Sequence, residues 1–140
     1  MTSLANKIGY VDIARVVGEF YSKARTNSQI GHFFNHIENF SQHEVKITAF
    51  WWLALGGQIG ETLPAVPAID MPGAHSRLGI CESDLNVWLN LFEQTLFEVL
   101  DMKLAGEWQL QVHSIANRLK DIVIQNRMSG VQIDEHHEIP

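Results

Sequence analysis

Apolar residues in this chain recur every three or four positions almost from end to end, and the spacing collapses only once, between Gly57 and Ile80. That period lays apolar side chains along one stripe of an α-helix, whereas a strand needs alternation, which no segment sustains. The chain is therefore read as all-α. From Tyr10 to Arg25 the stripe is Ile13, Val17, Phe20 with Tyr21, and Ala24, with Asp12, Arg15, Glu19 and Lys23 off it. The segment 27–35 is short and aromatic, and predicts a tight helical turn delivering Phe33 and Phe34 to the core. Ser41-Gln42-His43-Glu44 has the form of a capping box, with Phe40 and Val45 spaced as a hydrophobic staple. A helix is predicted from Ser41 to Gly56-Gly57, with His43, Ile47, Phe50, Trp51 and Ala54 on its inner face. Two longer stripes follow: Leu85, Trp88, Phe92, Leu96, Val99, and then Trp108, Val112, Ile115, Leu119, Ile122. They predict antiparallel helices from about Ser83 to Met102 and from about Glu107 to Met128.

The break in the pattern holds Gly57, Gly60, Pro64, Pro67, Pro72, Gly73 and Gly79, which forbid a long helix. Irregular segments of this length are uncommon in a small domain unless they are used. At most one short turn fits, between Gly73 and Gly79, and it carries His75. With 140 residues and 46% apolar composition, one domain over 1–130 is expected, followed by a flexible acidic tail over 131–140. A net charge of −6 without a basic cluster removes the electrostatic basis for nucleic-acid or membrane partners. The single cysteine, Cys81, allows neither an internal disulfide nor a cysteine zinc site, and the N-terminus lacks a secretory pattern. A cytoplasmic protein is expected.

Four positions stand out chemically. His75, on a turn between breakers, is placed to offer imidazole to a cavity as a metal ligand. His43 lies on the inner stripe of its helix, where an imidazole without a hydrogen-bond partner costs on the order of 1–3 kcal/mol. Tyr21 and Trp88 lie on the inner stripes of two further helices and bring a donor each. Three helices thus turn one polar tip inward among Phe20, Phe33, Phe34, Phe50, Trp51 and Phe92, which suits a flat apolar cavity with a polar ligand atom at its centre. Other chemistries are weak: no Glu-x-x-His pair, zinc-protease helix, phosphate loop, EF-hand or serine elbow is present.

The order Phe20-Tyr21, Ile30-Gly31-His32-Phe33-Phe34-Asn35, His43-x-x-Lys46-Ile47-x-x-Phe50-Trp51, Ala74-His75-x-x-Leu78 and Trp88-Leu89-x-Leu91-Phe92 resembles the truncated haemoglobins, most of all their third group. It departs from that pattern in a longer segment from Gly56 to Ala74 and in His32, where a proline is usual. The resemblance implies a two-over-two helical sandwich around haem b, with His75 as the proximal iron ligand. It implies Tyr21, His43 and Trp88 as the distal polar set, Phe34 as a ring on the haem face, Ile47 as an apolar wall and Lys46 as partner of a propionate. Phe50 and Trp51 would be core aromatics beside the cofactor, and Arg77, Leu78 and Phe92 complete its surroundings. The function implied is binding of dioxygen, nitric oxide or another diatomic gas at ferrous haem. Nitric oxide dioxygenation or a peroxidase-like reaction would need an external reductase, and the sequence does not choose between them.

Two other readings stay open. A haem-free helical sensor or interaction module predicts His43 and His75 apart or exposed. A six-coordinate electron-transfer haem predicts His43 itself closing on iron.

Overall fold

The apolar stripes become buried faces. A computed structural model describes residues 2–58 and 80–129, with side chains as far as Asp121. Among the described residues every regular element is helical: α1 (Leu4–Ile8), α2 (Tyr10–Ala24), a 3-10 turn (Gly31–Phe34), α3 (Phe40–Ala54), α4 (Glu82–Val99) and α5 (Met102–Ser129). In α2 the buried set is Ile13, Val16, Val17, Phe20, Tyr21 and Ala24, the predicted stripe with Val16 added. α4 buries Leu85, Trp88, Leu89, Phe92, Thr95 and Leu96, and α5 buries Ala105, Trp108, Val112, Ala116 and Leu119. Each large apolar side chain removed from water in this way contributes about 1.5–3 kcal/mol before entropy is counted.

The helices form two pairs, α2 with α3 and α4 with α5, joined where α2 packs on α4. This is the two-over-two sandwich expected. α1, not anticipated from the sequence, closes one end: it touches α2, α3 and α5, and Ala5 N–H donates to the Leu55 carbonyl at 3.0 Å. Ser3 Oγ caps it by accepting from Asn6 N–H at 3.1 Å. Gly9 ends α1 and begins α2 at φ 92°, a backbone conformation that an L side chain resists.

Three predicted boundaries are corrected. α3 starts at Phe40, because Asn39 Oδ1 accepts from Gln42 N–H at 3.1 Å and so does the capping assigned to Ser41. Val45 is 47% exposed, so the staple with Phe40 does not form. The inner face of α3 ends on buried Leu55, while Ala54 is exposed. The last two helices meet earlier than predicted: the backbone leaves α4 at Leu100, and Asp101 Oδ1 accepts from Leu104 N–H at 3.0 Å to start α5. Met102 therefore belongs to α5. The short turn predicted within 73–79 and the tail 131–140 lie outside the described residues. No helix among those described is long and apolar enough to cross a membrane.

Candidate functional site

Tyr21 sits one turn before the end of α2, and His43 lies one turn beyond the cap of α3, so the packing of these helices sets phenol against imidazole. Tyr21 Oη is 2.9 Å from His43 Nε2, and the two residues are 1% and 3% exposed. In the tautomer with the proton on Nδ1, the phenol O–H donates to Nε2. Phe34, delivered by the 3-10 turn, stands edge-on to Tyr21 at 5.6 Å. Phe40 packs on Tyr21 at 5.9 Å and on His43 at 6.1 Å. The Arg25 guanidinium lies 3.7 Å from the centroid of the Phe40 ring. The turn that brings Phe34 in depends on Gly31: a Cβ there would stand 2.7 Å from the Arg25 carbonyl oxygen.

The second wall is on α4. Trp88 stacks on Phe92 at 5.2 Å and meets the edge of Phe20 at 5.6 Å. Its Nε1–H is buried with no hydrogen-bond partner among the described residues, which costs about 1–3 kcal/mol unless a ligand atom accepts it. Trp88 borders a small apolar pocket with Ile30, Phe33, Phe34, Ile80 and Leu85. Asp84 closes the margin of that pocket and holds the aromatic turn to the start of α4. It accepts from Cys81 N–H at 3.0 Å, Cys81 Sγ at 3.0 Å and Gln29 Nε2 at 2.9 Å. Burial pushes its carboxyl up, but these hydrogen bonds and the nearby His32 outweigh that and hold it below the usual carboxylate value.

Of the residues singled out in the sequence, Tyr21, Phe34 and His43 form one contact cluster. Trp88 and Phe92 join it through Phe20, whose ring is 5.3 Å from Tyr21 and 5.1 Å from Phe92. Ile47 is buried one turn after His43, and Lys46 is half-buried beside it. Trp51 packs against Phe92 at 5.3 Å and Trp108 at 5.5 Å, with half-buried Phe50 next to it. His75, Arg77 and Leu78 lie outside the described residues. Phe40 and Arg25 join the site beyond the residues that the sequence singles out. Arg25 stands one helical turn after Tyr21, a spacing that places the two on one face, and this was the available signal. Among the described residues no group of three His, Cys, Asp or Glu side chains could hold a metal ion.

No family model matches this chain, and no curated protein matches it significantly. Solved structures do. A group III truncated haemoglobin from Campylobacter jejuni superposes with a TM-score of 0.73 at 24% identity, covering 83% of this chain and 91% of that one. The 2/2 haemoglobin from Synechococcus sp. PCC 7002, solved in the cyanomet state with covalently attached haem, gives 0.72 at 22% identity, covering 89% and 99%. The chain has the fold of the 2/2 haemoglobins.

Proposed function

We propose that this chain holds a b-type haem and binds a small diatomic ligand on it, with His75 as the protein ligand of the iron. The observation that carries this reading is the buried Tyr21–His43 hydrogen bond between α2 and α3, set among the rings of Phe34 and Phe40 in a chain with the 2/2 haemoglobin fold. The buried indole N–H of Trp88 fits the same group, since a polar ligand atom would satisfy it. Haem would supply a ferrous iron able to take dioxygen or nitric oxide.

The side chains then have separate tasks. Trp88 donates a hydrogen bond to the ligand and slows its escape, and Tyr21 does the same in the tautomer with the proton on His43 Nε2, where that N–H donates to the phenol oxygen and the phenol O–H turns to the ligand; a bond to a partly charged acceptor is worth about 1.5–3 kcal/mol, or one to two decades in rate. His43 orients the Tyr21 hydroxyl and offers a site for a proton. Phe34, Ile47 and Phe92 exclude water, and Lys46 pairs with a carboxylate of the cofactor. Turnover of nitric oxide or peroxide would draw electrons from an external reductase. The haem-free alternative predicts His43 and His75 apart or exposed, and His43 is buried; the six-coordinate alternative needs His43 Nε2, which lies 2.9 Å from the Tyr21 hydroxyl, to turn to iron instead.

Titration of the purified chain with haem, followed in the visible spectrum, tests the proposal. A stoichiometric Soret band lost in His75→Ala supports it; no band, or full occupancy in His75→Ala, overturns it.

A further inference from the structure

A phenol is hard to oxidise by one electron where its proton has nowhere to go, because the protonated phenol radical is a strong acid and an apolar site stabilises no extra charge. A base within hydrogen-bond reach removes that obstacle. Tyr21 meets this condition when its O–H points to His43: it is 1% exposed, and His43 Nε2, a base in the tautomer with the proton on Nδ1, lies 2.9 Å from its hydroxyl. Beyond it the rings of Phe20 and Trp88 follow at 5.3 and 5.6 Å, so a second oxidisable side chain stands one ring away. Tyr10, the chain's other tyrosine, instead packs on half-buried Trp52 near the surface.

We propose that Tyr21 and His43 form a redox-active pair, in which Tyr21 gives one electron to an oxidant and its hydroxyl proton to His43. The balance is simple. The Tyr21 O–H bond breaks, an N–H bond forms at His43 Nε2, the oxidant is reduced by one electron, and a neutral phenoxyl radical remains beside an imidazolium. Return of the electron reverses both transfers. In the cell the oxidant would be one generated from hydrogen peroxide at the haem, and that source rests on the function proposed above. The pair itself does not depend on it.

The test supplies the oxidant from outside. The full chain with Tyr10→Phe has Tyr21 as its only tyrosine. It is oxidised by a photogenerated ruthenium(III) polypyridyl complex and read by electron paramagnetic resonance. Ring-deuterated tyrosine separates the phenoxyl signal from indole radicals. A Tyr21 phenoxyl signal is expected, with Tyr10→Phe/Tyr21→Phe as the blank. His43→Gln keeps an acceptor for the hydrogen bond but lacks a base, so the radical should form roughly a hundredfold more slowly. His43→Leu, checked for native helicity by circular dichroism, should behave likewise. An absent phenoxyl signal, or an unchanged rate in His43→Gln, overturns the pair. A missing Soret band with an intact phenoxyl signal would sink only the haem reading.

Discussion

The ring cluster around Trp108 and the one around Tyr21 are both made of aromatic side chains on helix faces, yet they are built to different ends. Around Trp108, Phe92, Leu96 and Val112 are all within 1% of complete burial, and the neighbours are other apolar surfaces. Around Tyr21, a phenol and an imidazole are equally deep and spend part of the packing on a hydrogen bond. Each region also holds an indole N–H without a partner among the described residues, Trp108 in one and Trp88 in the other. An orphaned indole alone therefore does not mark a site. Trp88 differs because it borders a pocket, whereas Trp108 is enclosed by Trp51 and Phe92. A buried, unpaired N–H on a residue that borders a small pocket leaves room for an acceptor to reach it, whereas one inside solid packing is a cost tolerated for volume.

The largest expected effect separates these roles. Trp108→Ala should lower unfolding free energy by about 3–5 kcal/mol, the cost of emptying a large aromatic site in a close-packed core. Urea denaturation followed by circular dichroism measures it, and a loss below 1 kcal/mol would mean that the core lies elsewhere. Next comes the polar pair. Tyr21→Phe and His43→Leu should each cost about 1–3 kcal/mol, because each leaves a buried partner with an unmet hydrogen bond. The double variant should cost less than their sum by about 0.5–3 kcal/mol, since it removes donor and acceptor together. Strict additivity in that cycle would show that the 2.9 Å contact carries no energy.

A smaller effect concerns the start of α3. Asn39→Ala should destabilise the protein by about 1 kcal/mol and Ser41→Ala by a few tenths at most, because the Asn39 amide makes the cap. The reverse order would restore the boundary expected from the sequence. Asn39 and Ser41 are comparable capping residues, and the local pattern Ser41-x-x-Glu44 favoured the second. The choice was made by Phe40, whose ring is drawn into the helix by Tyr21 and His43, contacts that no local rule contains. The end of α4 was misplaced because no Gly or Pro stands between Val99 and Glu107 except Gly106, and the stop is an unobtrusive Asp101 cap. α1 is too short for a period to register. In contrast, the inward placement of Tyr21, His43 and Trp88 was legible, because a 3.6-residue repeat over several turns fixes which face is buried. Their mutual distances were not, since periodicity assigns a face but not the register of one helix against another.

The smallest effect tests whether the pocket margin can loosen while the aromatic core stays closed. Asp84 joins the first turn of α4 to Gln29 on the aromatic turn, and its carboxyl lies below the value of an unfolded chain, near 3.9. The folded state therefore binds this proton less readily than the unfolded state. The resulting stabilisation is fully present above about pH 4 and drains away as pH falls through the folded value. Asp84 is largely solvated, so screening keeps the contribution modest. Below pH 4, amide protection relative to the intrinsic exchange rate at each pH should fall in the first turn of α4, at Asp84 and Leu85, before it falls around Trp108. Asp84→Asn should show that loss of protection already at neutral pH and should flatten its acid dependence. If wild type and Asp84→Asn respond identically to acid at those amides, this carboxylate does not hold the pocket margin, and the two regions open as one unit.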